Sequence, residues 1–193
     1  MSWILQIQGR LEGSRRLPAA PDGEGTGVAV VVPLYVESAE LWTVLREEPN
    51  ESPPLSFPAA AFEGDDPWPT VARLGSVGLG VDPSRILRLG ELDEVGGSGG
   101  FRMRACVVAV PSPEDDGSNT EAPGVRLPLS ALRHPRLVEE RAFEIEGQQV
   151  PLAVYHLGRH RLWGPALDVL LKLLEVLERP EAVREAPVAA SLN

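Results

Sequence analysis

The run GVAVVVPLYV, residues 27–36, is continuous and rich in β-branched side chains. A strand with one hydrated face alternates apolar and polar positions; a run without alternation predicts a strand buried on both faces. ELWTVLRE (40–47) follows after only E-S-A, a spacing that predicts a hairpin. FRMRACVVAVPSP (101–113) predicts a further strand. AFEIEGQQVPLAVYHL (142–157) predicts a second hairpin, with Gly147 near its turn. SWILQIQGRL (2–11) alternates enough to predict a short N-terminal strand.

Two segments carry a helical period. In GPALDVLLKLLEVLERP (164–180), Leu167, Leu170, Leu171, Leu174 and Leu177 form a broad apolar stripe for core packing. A second helix is predicted from Pro67, with Asp66 as N-cap and proline suited to the first helical position. Its Val71, Leu74 and Val77/Gly78 fall on one face, and Gly75 and Gly78 each weaken it by about 1 kcal/mol relative to alanine. VDPSRILRLGEL (81–92) reads as a turn leading into a strand, and VRLPLSALRHP (125–135) as the opening of a short helix.

Between these elements, residues 11–26 and 111–124 are polar and rich in Gly or Pro, and NESPPLSFP (50–58) is irregular; the first two read as flexible, as does the tail 181–193. Mixed strands and helices, with helices available for two faces of one sheet, predict an α/β (α+β) fold. The expected architecture is an α/β/α sandwich with a mixed central sheet, one domain over 1–193 with its core at about 25–178.

Composition narrows the function classes. A formal charge of −10 over 193 residues disfavours nucleic-acid and anionic-membrane partners, and the basic residues, such as Arg102/Arg104 and Arg159/His160/Arg161, are scattered. The single cysteine, Cys106, rules out an internal disulfide or a Cys-rich zinc site and reads as an inert core thiol. The N-terminus lacks the pattern of a signal peptide, and no apolar run approaches the ~20 residues that span a bilayer. The expectation is a soluble, cytoplasmic protein.

Few residues suggest chemistry directly. Glu63, Asp65 and Asp66 form an acidic cluster, readable as a metal site or as a solvated loop with Asp66 as helix cap; the solvated loop is preferred. His156 and His160 have a zinc-like i, i+4 spacing, but Gly158 lies between them and the segment reads as a strand end. His134 reads as a loop residue, and Arg159 and Arg161 near Trp163 as a solvated rim rather than a phosphate contact. GEGTG (23–27) and GGSGG (96–100) lack the Lys-Ser/Thr of a phosphate loop and read as turns. No Ser/His/Asp or Cys/His pattern suggests a covalent nucleophile.

One family resemblance ties the pieces together. The stretch 56–86 contains SFP at 56–58, Glu63, DPWPTVAR at 66–73 and GVDPSRI at 80–86. VPLYVESAELWTVLRE precedes it, with Arg46 near its end. LGELDEVGGSGGFRMRACVVAV, LPLSAL and LWGPALDVLLKLLEVL, with the pair Trp163-Gly164, follow. In order and spacing, over about 25–178, this resembles the Nudix hydrolases, in particular the coenzyme A pyrophosphatase-like subgroup. Their signature is G-x5-E-x7-R-E-U-x-E-E-x-G-U, U being aliphatic. The resemblance implies a Nudix-like fold in which the signature glutamates bind Mg²⁺ and position water for attack on a diphosphate.

The departures fall on those glutamates. The aligned segment is Arg73-Leu74-Gly75-Ser76-Val77-Gly78, so Leu74, Val77 and Gly78 stand at the three glutamate positions. Ala59-Ala60 replaces the loop's Gly-Gly, and the loop is one residue shorter between Glu63 and Pro67. Mg²⁺ requires oxygen ligands in near-octahedral geometry, which these residues lack. Leu74 and Val77 are expected to be absorbed into the core. Arg73, its glutamate partner gone, reads as a surface or locally paired residue. The expectation is a catalytically inactive Nudix-like protein, without cofactor, serving as a binding or structural subunit beside another protein or a second copy. The alternatives are a divergent Mg²⁺- or Mn²⁺-dependent pyrophosphohydrolase of nucleoside-diphosphate-linked or coenzyme A-type substrates, built on Glu63, Asp65 and Asp66, or a non-cleaving nucleotide sensor. Residual contact with a nucleotide-like ligand would involve Arg46, Glu63, Asp65, Asp66 and Arg73.

Overall fold

With no polar side chain to hydrate, the strand at 27–36 has to be covered on both faces, and that requirement organises the molecule. The computed structural model describes residues 3–12, 27–47, 55–64, 66–92, 95–96, 102–112, 124–133, 138–145 and 147–178. Their elements are α1 (Trp3–Glu12), β1 (Gly27–Glu37), β2 (Glu40–Glu47), β3 (Leu55–Ser56), β4 (Ala59–Phe62) and α2 (Trp68–Leu79). After a 3-10 turn at Pro83–Arg85 come β5 (Leu87–Glu91), β6 (Val95–Gly96), β7 (Arg102–Ala109) and β8 (Val125–Pro128). A second 3-10 turn, Leu129–Arg133, precedes β9 (Val138–Ile145), β10 (Gln148–Leu157), β11 (His160–Leu162) and α3 (Pro165–Glu178).

The main sheet is mixed. β1 runs parallel to β7 from Gly27↔Arg102 to Leu34↔Ala109, and antiparallel to β2 from Leu34↔Thr43 to Glu37↔Glu40. Away from that hairpin the two strands diverge, and the chain at 55–62 fills the fork: β3 pairs with β2, β4 pairs with β1, and Val31 N–H donates to the Pro58 carbonyl at 2.9 Å. β5 closes one edge on β7 and β8 the other on β2. The β1–β2 turn places Ser38 and Ala39 at positive φ, 50° and 61°, the hairpin conformation that glycine normally supplies.

Alternate residues of the central strands enter two cores. Val30, Val32, Leu34, Ala105, Val107 and Ala109 pack with Ile7 and Leu11 of α1 and with Leu167, Leu170, Leu173 and Leu174 of α3. Ala29, Val31, Cys106 and Val108 pack on the opposite face with Val71 and Leu79 of α2. The chain therefore forms the expected α/β/α sandwich around a mixed sheet. A separate antiparallel sheet, β11-β10-β9, follows, with Gly147 at φ 76° in its turn.

Four expectations are corrected. Residues 3–12 form a helix, not a strand: Ile4, Ile7 and Leu11 share one helical face, and Ile7 and Leu11 are buried. Leu11 and Glu12 thus belong to a helix rather than a flexible loop. The segment from Val125 begins as strand β8, because it completes the sheet edge on β2, and only then turns into a 3-10 helix. On α3 the expected stripe packs into the core at Leu167, Leu170, Leu174 and Leu177, joined by Val169, Leu173 and Val176, but Leu171 is exposed rather than packed. Val77 is not in the core; it is 83% exposed. Residues 13–26, 113–123 and 179–193 lie outside the described residues. Among the described residues, no helix is long and apolar enough to cross a membrane.

Candidate functional site

The helix that bears the resemblance to a metal-binding segment is held in place from its N-terminus. Asp66 Oδ1 accepts from Trp68 N–H at 3.1 Å, and Pro67 already has helical dihedrals, φ −75° and ψ −15°. At the far end Gly80 takes φ 69° and its N–H donates to the Ser76 carbonyl, a left-handed C-cap for which glycine has no Cβ penalty. Val71 and Leu79 face the sheet. Gly75 and Gly78 permit close approach: a Cβ on Gly75 would lie 2.6 Å from Ile86 Cδ1, and one on Gly78 3.2 Å from Pro58.

The three positions where the resemblance places glutamates are therefore distinct in space. Val77 faces solvent, Leu74 is half-buried beside the smaller core, and Gly78 abuts Pro58. None offers an oxygen donor, so this part of the helix does not fit Mg²⁺, whose ligands are hard oxygens. Among the described residues no group of three His, Cys, Asp or Glu side chains is placed to hold a metal. Glu63 and Asp66 are exposed, while Asp65 lies outside the described residues. Arg73 is exposed on α2, and Arg46 is exposed near the end of β2, opposite Ser56 of β3.

A polar network anchors the start of α2 to the sheet. Glu91, with only 12% of its side chain exposed, accepts from Trp68 Nε1 at 3.0 Å through one oxygen. Through the other it accepts from Arg104 Nε at 3.0 Å and Nη2 at 2.5 Å. Arg88 lies over the Trp68 ring at 4.0 Å and reaches Glu91 at 3.5 Å. The sequence shows Arg88, Glu91 and Arg104 only as scattered charges; no spacing links them to Trp68, because the pairing of β5 with β7 and the seating of α2 on the sheet bring them together. Beneath it, Cys106 is fully buried and its thiol is pushed up to about 12, mainly by burial and then by the nearby Glu91 carboxylate. A thiol so held has almost no thiolate at neutral pH, in line with an inert core residue.

A second polar region lies at the β8 edge. A groove of about 720 Å³ is lined by Glu47, by residues 124–128, by Ala131 and by residues 156–160. His160 Nδ1 is 3.2 Å from Glu47 Oε1, and Arg159 Nε donates to His160 Nε2 at 3.1 Å. His156 Nε2 is 2.7 Å from Glu139 Oε2. The two histidines thus have separate carboxylate partners, and their i, i+4 spacing spans a β-turn rather than a helix face. Arg126 donates to Tyr35 Oη at 2.7 Å, pairs with Glu37 and lies 5.5 Å from the Trp42 ring. Arg161 is exposed, Trp163 stacks on Phe143 with ring centres 4.2 Å apart, and His134 lies outside the described residues.

No protein-family model matches the chain, and no curated protein matches it. Solved structures do show likeness. An Ap4A hydrolase of C. elegans aligns with TM-score 0.45 and 12% identity, over 56% of this chain and 83% of its own. A Nudix hydrolase of M. smegmatis aligns with TM-score 0.43 and 14% identity, over 64% and 86%. A MutT/nudix family protein of Enterococcus faecalis aligns with TM-score 0.44 and 11% identity, over 83% and 64%. With TM-scores below 0.5, these likenesses carry no functional weight of their own.

Proposed function

We propose that this protein is a catalytically inactive Nudix-like subunit of a cytoplasmic protein assembly, serving as a binding or structural component. The observation that supports this most is the chemistry of α2: at the positions where the resemblance places metal-binding glutamates stand a half-buried leucine, a solvent-facing valine and a glycine packed on proline. Without carboxylates the helix offers Mg²⁺ no inner-sphere ligands. A diphosphate in its transition state then lacks the metal's counter-charge, and the attacking water lacks its pKa shift. The partner is another protein or a second copy of this chain.

A divergent hydrolase is the second reading, favoured by the exposure of Glu63 and Asp66 just ahead of α2. Incubation with a panel of nucleoside-diphosphate-linked compounds and Mg²⁺ or Mn²⁺ separates the two. No turnover is expected; turnover abolished by Glu63→Gln overturns the inactive reading. Thermal stabilisation by such a compound without turnover would identify the protein as a nucleotide sensor. Metal alone gives a further check, because a ligand at ten times its dissociation constant adds about 1.4 kcal/mol, a shift of roughly 3–6 °C at this size. Millimolar Mn²⁺ is expected to leave the Tm unchanged.

A further inference from the structure

The sheet face that carries Cys106 is covered by one continuous piece of chain. The side chains that pack over it are Trp68, Val71, Leu74, Leu79, Val81 and Ile86, all within residues 68–86. That piece is α2, the 3-10 turn at Pro83–Arg85 and the residues that join them. Strands fixed in the main sheet flank it: Phe62 of β4 pairs with Gly27 before it, and Leu87 of β5 pairs with Ala109 after it. The opposite face is covered from both ends of the chain, by Ile7 and Leu11 of α1 and by the leucines of α3. Lifting 68–86 would therefore break one apolar cluster and leave the other whole, together with the strand pairings between them.

Away from that face, little in α2 itself keeps it ordered. It has 12 residues, about the length at which an isolated helix becomes marginal in water, and Gly75, Gly78 and the β-branched Thr70, Val71 and Val77 lower its helical propensity further. A polar tie to the sheet is made at its start, where Trp68 Nε1 donates to Glu91 at 3.0 Å and Arg88 lies over the Trp68 ring. Local opening is easiest for a contiguous segment that buries little apolar surface. By that measure 68–86 parts from the sheet before the α1/α3 cluster does.

We propose that residues 66–86 form a cover that lifts from the sheet as one unit, while the sheet and the α1/α3 cluster stay folded, and that this motion bares Cys106. With the cover closed, the cysteine has no exposed surface and solutes cannot reach it. With the cover open, it stands on the bare face of β7. It is the single cysteine of the chain, so its reactivity reports the position of the cover without interference. Such a device goes beyond the reading of the chain as an inactive subunit. It holds whether or not diphosphates are cleaved, since it rests on the separation of the two clusters.

The test is the rate at which dithiobis(nitrobenzoate) labels the full chain in native buffer. The Cys106 thiolate attacks the reagent's disulfide, forms a mixed disulfide and releases one thionitrobenzoate, whose absorbance is followed. Glu91→Ala removes a contact made only in the closed form, so labelling should accelerate by roughly tenfold or more. Trp68→Phe deletes the donated indole N–H without changing the charge near the thiol, and should accelerate it in the same direction. Leu170→Ala weakens the α1/α3 cluster, which the closed and lifted forms share, so labelling should stay within about twofold of the parent although global stability falls. Leu173→Val, a milder cut in the same cluster, supplies this control if Leu170→Ala does not fold. Acceleration in the α3 variant would mean that Cys106 is reached only by global unfolding. No acceleration in Glu91→Ala would mean that the reagent reaches the thiol without movement of α2, and acceleration there but not in Trp68→Phe would assign the effect to charge. Each of these three results overturns the cover, and none of them bears on diphosphate turnover.

Discussion

The two faces of the central sheet are covered in different ways. On the α1/α3 face, leucines from α3 meet alternate residues of β1 and β7 in one continuous apolar cluster that extends to Leu127, Leu129 and Leu132. On the α2 face the cluster is small, built around Val71, Leu79, Val81 and a fully buried cysteine, and the helix covering it has glycines at 75 and 78. Area buried stabilises the first face. The second relies more on specific ties: Asp66 at the helix start, the Glu91 network at Trp68 and the left-handed Gly80 at the end. Its two glycines let the backbone of α2 approach Ile86 and Pro58 closely, so they contribute contact without side-chain area.

The contrast is broken most forcefully by truncating one core side chain on each face. Leu170 is fully buried under α3, and Leu170→Ala should cost about 3–5 kcal/mol from lost transfer energy plus a cavity. Val71 is its counterpart under α2; Val71→Ala removes two methyl-sized groups at about 0.8 kcal/mol each and should cost about 2 kcal/mol. Urea titration of both variants measures the difference. Equal losses would mean that α2 is held by packing after all.

The Glu91 network is the next expected effect. Glu91→Ala removes the carboxylate to which Trp68 and Arg104 donate in a partly buried site, at a cost of about 2 kcal/mol. The double variant Glu91→Ala/Arg104→Met should recover part of that loss, because the cationic donor left behind is removed as well. A loss under 1 kcal/mol for Glu91→Ala would show that the network is incidental to anchoring α2.

Much of the sandwich was legible in the sequence because its signals are local. The run at 27–36 lacks polar residues, and both its faces are buried; Asp66-Pro67 marks a helix start by chemistry that operates within three residues. Trp3–Glu12 was misread because ILQIQ alternates over a few positions, while the helical face of Ile4, Ile7 and Leu11 emerges only over about two turns. Val77 was misplaced because helical spacing gives a face but not its direction; Gly75 and Gly78, which let α2 approach Ile86 and Pro58, turn position 77 outward. The Glu91 network and the β8 groove had no sequence signal, since strand register and the return of β10–β11 create them.

Val77→Glu sharpens the same point at lower magnitude. With the side chain 83% exposed, a glutamate there meets water, and stability should change by less than about 0.5 kcal/mol. A loss of 2 kcal/mol or more in a thermal melt would mean that the valine is covered in solution, which would place a partner or a second copy on α2.

The smallest expected effect concerns the turn that follows α2. Asp82 Oδ1 accepts from Ser84 N–H at 2.8 Å and from Ser84 Oγ at 2.7 Å, bonds that favour the ionised carboxylate and hold its pKa below the usual value. The side-chain bond from Ser84 is the larger cause. A carboxyl whose folded pKa lies below its unfolded one contributes its full stabilisation above the unfolded value, near 4, and loses it as pH falls through the folded value. Asp82→Ala should therefore lower the Tm slightly at pH 7, with the gap to the parent protein narrowing below about pH 4 as the parent's carboxylate takes up its proton. A gap that stays constant down to pH 2 would assign the effect to the backbone preference of the 3-10 turn rather than to the charge.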